Sequence, residues 1–428
     1  MKKRLLTTVL AACMLLAGCS APVDQTSITS VANQTEDSSS ADVVTAGFKE
    51  LDFKNIDSKS YDEESMRKYF MRFVFDFYSK TAEGSDENIM VSPYSLMTAL
   101  ELAAAGADGD TLKQMISLYG DPEDPEATMK YISDLMKKLN SSEGVKLKVA
   151  NSAWLRDKVK DSPARNEYIK TIADYLESEI KLKDFGDPDG LIKEINDWVD
   201  GKTDGMIPQL LDELPDDCVA VLVNTIVFDG KWGEEFSGTS QKEFHGRSGD
   251  KETEFMNGKA ETYLETDKAT GFIKVYEGGE FAFVAMLPAD ENVSMADFVK
   301  DLKPEEFEEF YKSGEGKATV SMPSFTSRYK VKAPGILKEL GMTDAFDPGK
   351  ADFSGIEDGI YISDVIHETF IEVTKKGTRA AAASAVTMRK SASFAMNVKH
   401  VELDRPFMYA IVDTATGTPV FIGHLQDI

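Results

Sequence analysis

Cysteine and histidine are scarce in this sequence, which has three cysteines and four histidines among 428 residues. Cys13 and Cys19 lie in the N-terminal segment, so Cys218 is alone in the rest of the chain and no internal disulfide is possible there. The fold must therefore be stable without cross-links. His367 has no cysteine or second histidine near it in the sequence, and we interpret it as a structural hydrogen-bonding residue. The sequence predicts no metal site and no cofactor.

Enzyme motifs are also missing. The chain contains no HExxH, P-loop, GxGxxG or GxSxG pattern, and we predict that it is not an enzyme. Its 74 acidic residues outnumber its 48 basic ones, which gives a formal net charge of −26. This excess argues against binding to nucleic acid, because phosphate backbones are bound by basic surfaces.

The first twenty residues, MKKRLLTTVLAACMLLAGCS, combine a basic start with an apolar run and small residues. This order is typical of an export signal and is too short for a membrane span. The ending LAGC resembles the bacterial lipobox, which implies a lipoprotein signal peptide over residues 1–18 and a lipid on the Cys19 thiol. The alternative is an ordinary cleaved signal with an incidental cysteine. We expect an extracytoplasmic, cell-surface lipoprotein held to the membrane at Cys19, or a form released to the extracellular space.

Residues 19–55 are predicted to be a flexible tether. The stretch 20–47 is rich in Ser, Thr, Asp and Gln and has no aromatic residue. Such a segment cannot bury enough apolar area to offset its ordering entropy.

The remaining residues, 56–428, show one pattern in their first half and another in their second half. The first half shows apolar residues at helical spacing, as in residues 61–82, and a cap followed by proline at Ser92 and Pro93. The second half reads as strands, and CVAVLVNTIVFDGKW is a near-continuous apolar run, as in a strand buried on both faces. With no internal repeat or linker, the sequence predicts one large α+β domain with mainly antiparallel sheets.

Residues 375–394, KKGTRAAAASAVTMRKSASF, fit neither pattern well. Alanine favours a helix, yet the segment has no apolar stripe. The segments around it resemble those of the serpins, which are protease inhibitors. The resemblance runs from about residue 61 to residue 428 and rests on NIMVSPYSLMTALELAAAGADGDTLKQM, INDWVDGKTDGMIPQLL, VLVNTIVFDGKW, GMTDAFDPGKADFSGI, YISDVIHETFIEVTKKGT and DRPFMYAIVDTATGTPVFIG.

The resemblance implies a single large domain in which helices pack around a large central sheet and two smaller sheets. It also implies an exposed reactive-centre loop at about residues 375–400. A serine protease that cuts this bait would be trapped as an acyl-enzyme while the loop inserts as a new strand of the central sheet. Because side chains alternate along a strand, an inward Thr378 would be followed inward by small or apolar residues, with both arginines, Arg379 and Arg389, outward. The predicted hinge is Gly377, Thr378, Ala380, Ala382 and Ser384.

Other family positions carry over by motif. Ser92, Ser95, Asn224 and His367 match the polar cluster where the sheet parts, and Trp232 matches the tryptophan above it. The chain departs from the family at Lys375, Lys376 and Arg379, where acids are usual. We expect Lys375 to pair with Glu291, the residue that takes the place of the usual lysine partner. Two unrelated surface charges are the alternative.

The family's loop length predicts the reactive bond Ser391–Ala392, which would suit an elastase-like protease. Alternatives are a trypsin-like protease cutting beside Arg389 and Lys390, and cleavage further on at Phe394 or Met396. We therefore predict a monomeric inhibitor whose partners are serine proteases. The runner-up is a non-inhibitory serpin that acts as a binding or chaperone-like module. A third possibility is a lipoprotein that captures small solutes.

Overall fold

The computed structural model describes residues 13–15, 56, 58–142, 144–156, 163–176, 178–214, 218–356, 359–362, 365–378 and 398–428. The predicted α+β class is confirmed: helices surround three mostly antiparallel sheets. The helices that the sequence pattern predicted in the first half are present. Three further helices lie among the strands of the second half, so the simple order of helices first and strands later is incomplete.

The helices begin where the sequence supplies caps. The side chains of Asp62, Ser92, Asp124 and Asp187 each accept a hydrogen bond from a backbone N–H of the first turn. No helix in the described part of the chain is long and apolar enough to cross a membrane. The helices are Glu63–Ala82 (α1), Pro93–Ala104 (α2), Gly109–Tyr119 (α3), Pro125–Asn140 (α4), Pro163–Tyr175 (α5), Pro188–Lys202 (α6), Met295–Lys300 (α7), Pro304–Lys312 (α8) and Pro334–Glu339 (α9), with a 3-10 turn at Asp344–Phe346.

The strands belong to three sheets. They are Cys13–Leu15 (β1), Ile89–Val91 (β2), Val145–Arg156 (β3), Glu179–Lys183 (β4), Cys218–Lys231 (β5), Gly238–Gly246 (β6), Gly249–Ala260 (β7), Thr262–Glu265 (β8), Ala269–Val275 (β9), Phe281–Pro288 (β10), Ala318–Pro323 (β11), Phe325–Lys332 (β12), Ile366–Thr374 (β13), Gly377–Thr378 (β14), Lys399–Glu402 (β15), Phe407–Asp413 (β16) and Pro419–Leu425 (β17). The large sheet has the order β12-β13-β14-β5-β3-β4, with β1 also paired to β5. The other two sheets have the orders β2-β17-β16-β10-β9-β8 and β15-β11-β7-β6.

Strand β5 is buried on both faces, as its apolar run predicted. Ile226 and Phe228 join the main apolar core, which includes residues of α2. Val221, Val223 and Val227 join a second apolar cluster with α6, on the opposite face of the sheet. The large sheet is therefore covered on both sides at β5, and only its strand edges remain for further pairing.

Candidate functional site

The candidate site is the position between β5 and β13 in the large sheet. The two residues of β14 occupy one end of it. Thr378 lies opposite Val373 of β13 and Gly230 of β5, while Gly377 lies opposite Thr374 and Lys231. Both pairings are antiparallel, so β14 is a strand of two residues held on both of its edges.

The described residues place no strand in this position between β14 and β1. One edge of β5 is filled by β3, which pairs with residues 220–230. Strand β1 pairs with β5 at residues 218–221, so it must lie on the other edge, where β14 also lies. Between β1 and β14, residues 222–229 of that edge pair with no described strand, and neither do residues 366–372 on the facing edge of β13. Neighbouring strands lie about 4.8 Å apart, so at β14 itself β5 and β13 are separated by the width of one strand.

Gly377 lies against the backbone of β5. A Cβ added at this residue would lie 2.2 Å from the carbonyl oxygen of Gly230 and 2.7 Å from the Cα of Lys231. Only glycine permits so close an approach. The predicted hinge residues Gly377 and Thr378 thus lie within the large sheet. The remaining predicted hinge residues, Ala380, Ala382 and Ser384, lie outside the described residues, as do Arg379 and the residues from Arg389 to Met396 that include every candidate reactive bond.

Trp232 holds the turn that precedes the hinge. Its indole Nε1 donates to the carbonyl oxygen of Thr374 at 2.9 Å. Its backbone N–H donates to the carbonyl oxygen of Lys376 at 3.0 Å, and the N–H of Phe236 donates to that of Lys375 at 3.1 Å. These contacts place Trp232 beside the end of the position that β14 occupies.

Tyr276 is a site residue that the sequence reasoning missed. Its ring stacks on Trp232 with centroids 4.5 Å apart and meets Phe228 edge-on at 4.8 Å. Its hydroxyl oxygen lies 2.6 Å from Oγ1 of Thr378. The only local signal was a tyrosine between a strand and the glycine pair Gly278–Gly279, and nothing there indicates that it reaches the hinge.

Lys274 is buried beneath the same cluster. Its Nζ lies 4.7 Å from the ring centroid of Phe236 and 5.6 Å from that of Trp232, and it donates to the carbonyl oxygen of Lys259 at 2.8 Å. Burial lowers the pKa of this lysine, and the more distant carboxylates of Glu261 and Glu234 oppose the shift only in part. The aromatic faces supply part of the lost solvation.

Ser92, Ser95 and His367 meet near the start of β13, at the end of that strand away from the hinge. The backbone N–H of Ser92 donates to Nε2 of His367 at 2.9 Å, and the Ser92 hydroxyl donates to Val420 and accepts from the N–H of Ser95. This contact ties β13 to the start of α2. Thr369, two residues further along β13, donates to the carbonyl oxygen of Met90 at 2.6 Å.

The predicted polar cluster is therefore brought together in part. The backbone of Asn224 lies opposite Asn151 of β3, but its side chain is not among those that the structure describes. Trp232 lies elsewhere in the sheet. It binds Thr374, which is seven residues, or about 24 Å, from His367 along β13. The two groups lie near opposite ends of β13.

Because His367 accepts at Nε2, it is neutral, with its proton on Nδ1. Burial lowers its pKa to about 4. Protonation of Nε2 would break the hydrogen bond from Ser92.

The predicted pair of Lys375 with Glu291 is wrong. No ion pair in the described part of the chain involves either residue. Glu291 follows the end of β10 at Pro288, which pairs with Ala269, whereas the hinge lies near the start of β10. Strand β10 is eight residues long, so its two ends are about 24 Å apart.

The residue that neighbours Lys375 across the sheet end is Ser324. Because Phe325 pairs with Val373, the antiparallel register brings Ser324 beside the hinge turn. A groove at this place is lined by Ser324, Lys375 and Lys376 together with Glu254, Glu372 and Asp427. These carboxylates give the two hinge lysines a negatively charged surrounding.

Among the described residues, only Glu243, His245 and Asp250 bring three potential metal ligands close together. All three are exposed on the β6–β7 hairpin, and His245 is already hydrogen-bonded to Asp250 at 2.9 Å. This arrangement is an ordinary surface pair with a third acid nearby.

Comparison with known proteins agrees with this architecture. The family model described as Serpin (serine protease inhibitor) matches residues 68–428. An uncharacterized serpin-like protein, TK1782 of Thermococcus kodakarensis, is 32% identical over 365 residues, which cover 83% of this chain and 84% of the relative. The native-state structure of the thermophilic serpin Tengpin has 35% identity and a TM-score of 0.79, and covers 86% of this chain and 96% of its own.

A more distant structure is that of human thyroxine-binding globulin complexed with thyroxine. It is 23% identical, with a TM-score of 0.75 over 85% of this chain and 99% of its own. At this identity the likeness concerns the fold alone.

The neutral state of His367 predicts a loss of stability in acid. Its pKa is about 4 when folded and near 6.5 when unfolded, so its stabilisation is present above pH 6.5 and is lost as the pH falls towards 4. Between pH 7.5 and pH 5 the wild type should lose on the order of 2 kcal/mol through this residue. Urea unfolding of His367→Gln should show a smaller loss than the wild type. His400→Gln, at an exposed histidine, should match the wild type, and an equal loss in all three proteins would contradict this account.

Proposed function

The chain belongs to the serpin family, and we propose that it inhibits serine proteases by inserting its cleaved reactive-centre loop into the large sheet. Serpins are inhibitors rather than catalysts, and no enzymatic activity is proposed. The observation that carries the proposal is β14. The two hinge residues already pair with β13 on one edge and with β5 on the other.

The register of β14 supports insertion along the whole of β5. Each further residue of the loop would pair one residue earlier on β5, so Lys390 would come opposite Cys218, the first residue of that strand. Residues 379–390 would thus complete the new strand. Strand β1 pairs with part of the same edge, and it lies within the proposed signal peptide, whose removal would vacate that edge.

The side chains of the loop suit this register. Thr378 is only 1% exposed, so it points inward. With period two, Ala380, Ala382 and Ser384 would follow it inward, and all are small. A dozen ladder hydrogen bonds at about 0.5–1.5 kcal/mol each would stabilise the inserted form by roughly 10 kcal/mol. This is as large as the stability of a whole domain.

The reactive bond that we favour is Ser391–Ala392, which lies just beyond the end of the proposed strand. Its small residues suit an elastase-like protease with a shallow pocket. A trypsin-like protease would instead cut after Lys390, beside Arg389. Cleavage further on, at Phe394 or Met396, would leave several residues outside the sheet.

The N-terminal segment suggests where the inhibitor acts. We propose a lipid anchor at Cys19 on the extracytoplasmic face of a bacterial membrane, with residues 19–55 as tether. This arrangement would hold the inhibitor at the cell surface, where it would meet proteases from outside.

A non-inhibitory binding role is the second candidate. It is favoured by the likeness in fold to thyroxine-binding globulin, a serpin-fold protein that binds a small ligand. The two candidates differ in one simple outcome, which is whether an SDS-stable complex with a serine protease forms.

Insertion predicts that inward and outward hinge positions differ. Ala380→Arg would place a long cation inside the sheet, where an unpaired charge is costly, so insertion should stall and the acyl-enzyme should hydrolyse. Ala381→Arg, one residue on, would place the same charge outward and should have little effect. On SDS gels with a panel of elastase-like and trypsin-like proteases, the wild type and Ala381→Arg should form stable complexes, while Ala380→Arg should be cleaved without trapping the protease. Equal behaviour of the two variants would refute the assigned faces.

Mass spectrometry of the C-terminal fragment released from each complex should identify the reactive bond. A fragment that starts at Ala392 is expected with an elastase-like protease, and one that starts at Ser391 with a trypsin-like protease. A first residue outside 390–397 would be incompatible with the register argued from β14.

The anchor predicts a change of cell fraction. The full-length protein should enter the membrane fraction and incorporate labelled fatty acid. Cys19→Ala should remove both properties without affecting the inhibition of a protease in solution, because Cys19 belongs neither to the reactive-centre loop nor to the strands that would receive it. Membrane association that survives Cys19→Ala would rule out the anchor.

A further inference from the structure

The hydroxyl groups of Tyr276 and Thr378 form an isolated polar pair inside an apolar cluster. The two oxygens lie 2.6 Å apart, and each residue is 1% exposed. The Tyr276 ring is enclosed by Trp232 and Phe228. Burial raises the pKa of Tyr276 well above its usual value, so the hydroxyl stays protonated and available as a donor.

Each hydroxyl depends on the other. Among the described residues, Thr378 is the only hydrogen-bond partner found for the Tyr276 hydroxyl, and the converse also holds. If the hinge left the sheet, Thr378 would gain water, but the Tyr276 hydroxyl would lose its partner at the end of a largely apolar cavity. A buried hydroxyl without a partner is unfavourable. The pair therefore favours the state in which Thr378 lies between β5 and β13.

We propose that Tyr276 is a positioning residue for the reactive-centre loop: its hydroxyl holds Thr378 in the sheet before any protease arrives. This inference deepens the proposed inhibitory function and concerns the same loop. With Gly377 and Thr378 retained in β14, the loop outside the sheet is two residues shorter than it would be with a free hinge. The hinge is then in equilibrium between a state retained in the sheet and a released state. A protease has less access to the bait in the retained state.

The surrounding contacts make this position specific to the side chain at 378. Trp232 and Phe236 bind the backbone of the preceding turn through its carbonyl groups, and those contacts are available to any sequence. The hydroxyl of Thr374 also donates to the backbone of β14, at the carbonyl oxygen of Gly377 and 2.9 Å. The contact from Tyr276 is the one described hydrogen bond that involves a side chain of β14. This contact therefore requires a hydroxyl at residue 378, whereas the contacts that hold the preceding turn do not depend on that side chain.

A double-mutant cycle tests the pair. Tyr276→Phe keeps the ring and removes its hydroxyl, and Thr378→Val keeps the shape of the side chain and removes the other hydroxyl. Each single change leaves one buried hydroxyl unpaired, whereas the double change replaces both by apolar groups of the same shape, which is nearly neutral. Tyr409→Phe, at a buried tyrosine of the second sheet, is the matched control.

Hydrogen–deuterium exchange measures the hinge directly and requires no protease. In the native, uncleaved protein, peptides covering 374–378 and 228–231 should exchange about tenfold faster in each single variant than in the wild type. The double variant should return to within about twofold of the wild type, and Tyr409→Phe should leave these peptides unchanged. Additive effects in the double variant, or unchanged exchange in both single variants, would overturn the proposal. Exchange in β16 and β17 reports any general loosening and should stay the same.

A second measurement links the hinge to the bait. The single variants should be cleaved in the loop several-fold faster by a non-target protease such as thermolysin, and the double variant at the wild-type rate. If no serine protease forms a stable complex, the inhibitory function fails, yet the exchange cycle still decides the positioning role of Tyr276. If complexes form but the cycle is additive, the inhibitory function stands and the positioning role is refuted.

Discussion

The edge of β5 that pairs with β14 is the constraint on which the rest of the structure depends. Backbone N–H and C=O groups along a strand edge require partners, and an edge left open in a central sheet is an acceptor for any strand of suitable length. Strand β3 occupies the opposite edge of β5 along its length, and β12 does the same for β13. Under the proposed insertion, the new strand would therefore enter between them. The chain places Gly377 and Thr378 at that entrance, so its own continuation is the segment best positioned to fill the gap.

Two groups of contacts hold β13 and the hinge at different places along the large sheet. At the hinge, an aromatic cluster holds the turn by its carbonyl groups and holds Thr378 by its hydroxyl. About 24 Å away, His367 ties β13 to the first turn of α2, while β5 packs on the same helix through Ile226 and Phe228. The apolar contact tolerates sliding, since hydrophobic packing is not directional. The hydrogen bond does not, so a change in the separation of the strands is coupled to the bond between His367 and Ser92.

Much of the fold and part of the site could be predicted from the sequence. Caps and apolar spacing identified α1 and α2, and the run from Cys218 predicted a strand covered on both faces. The inward direction of Thr378 was an assumption taken from the family resemblance, and this residue is buried. These are local patterns. The contact of Tyr276 with Thr378 joins residues 102 positions apart, and no local pattern specifies which strands meet. The Lys375–Glu291 pair failed for the same reason: both residues follow a strand, and only the sheet register shows that they follow distant ends.

Under the proposed insertion, the stability of the inserted form and the rate at which it is reached would depend on different residues. The gain from a completed strand is spread over a dozen backbone pairs, and a single side chain contributes little of it. The entrance is different, because every later pair must form after Thr378 is in place. A contact that changes the position of Thr378 would alter the state from which insertion starts, while leaving the stability of the completed strand almost unchanged. Hydrogen bonds of modest strength at the hinge would in this way govern a rearrangement whose total free energy is far larger than that of any one of them.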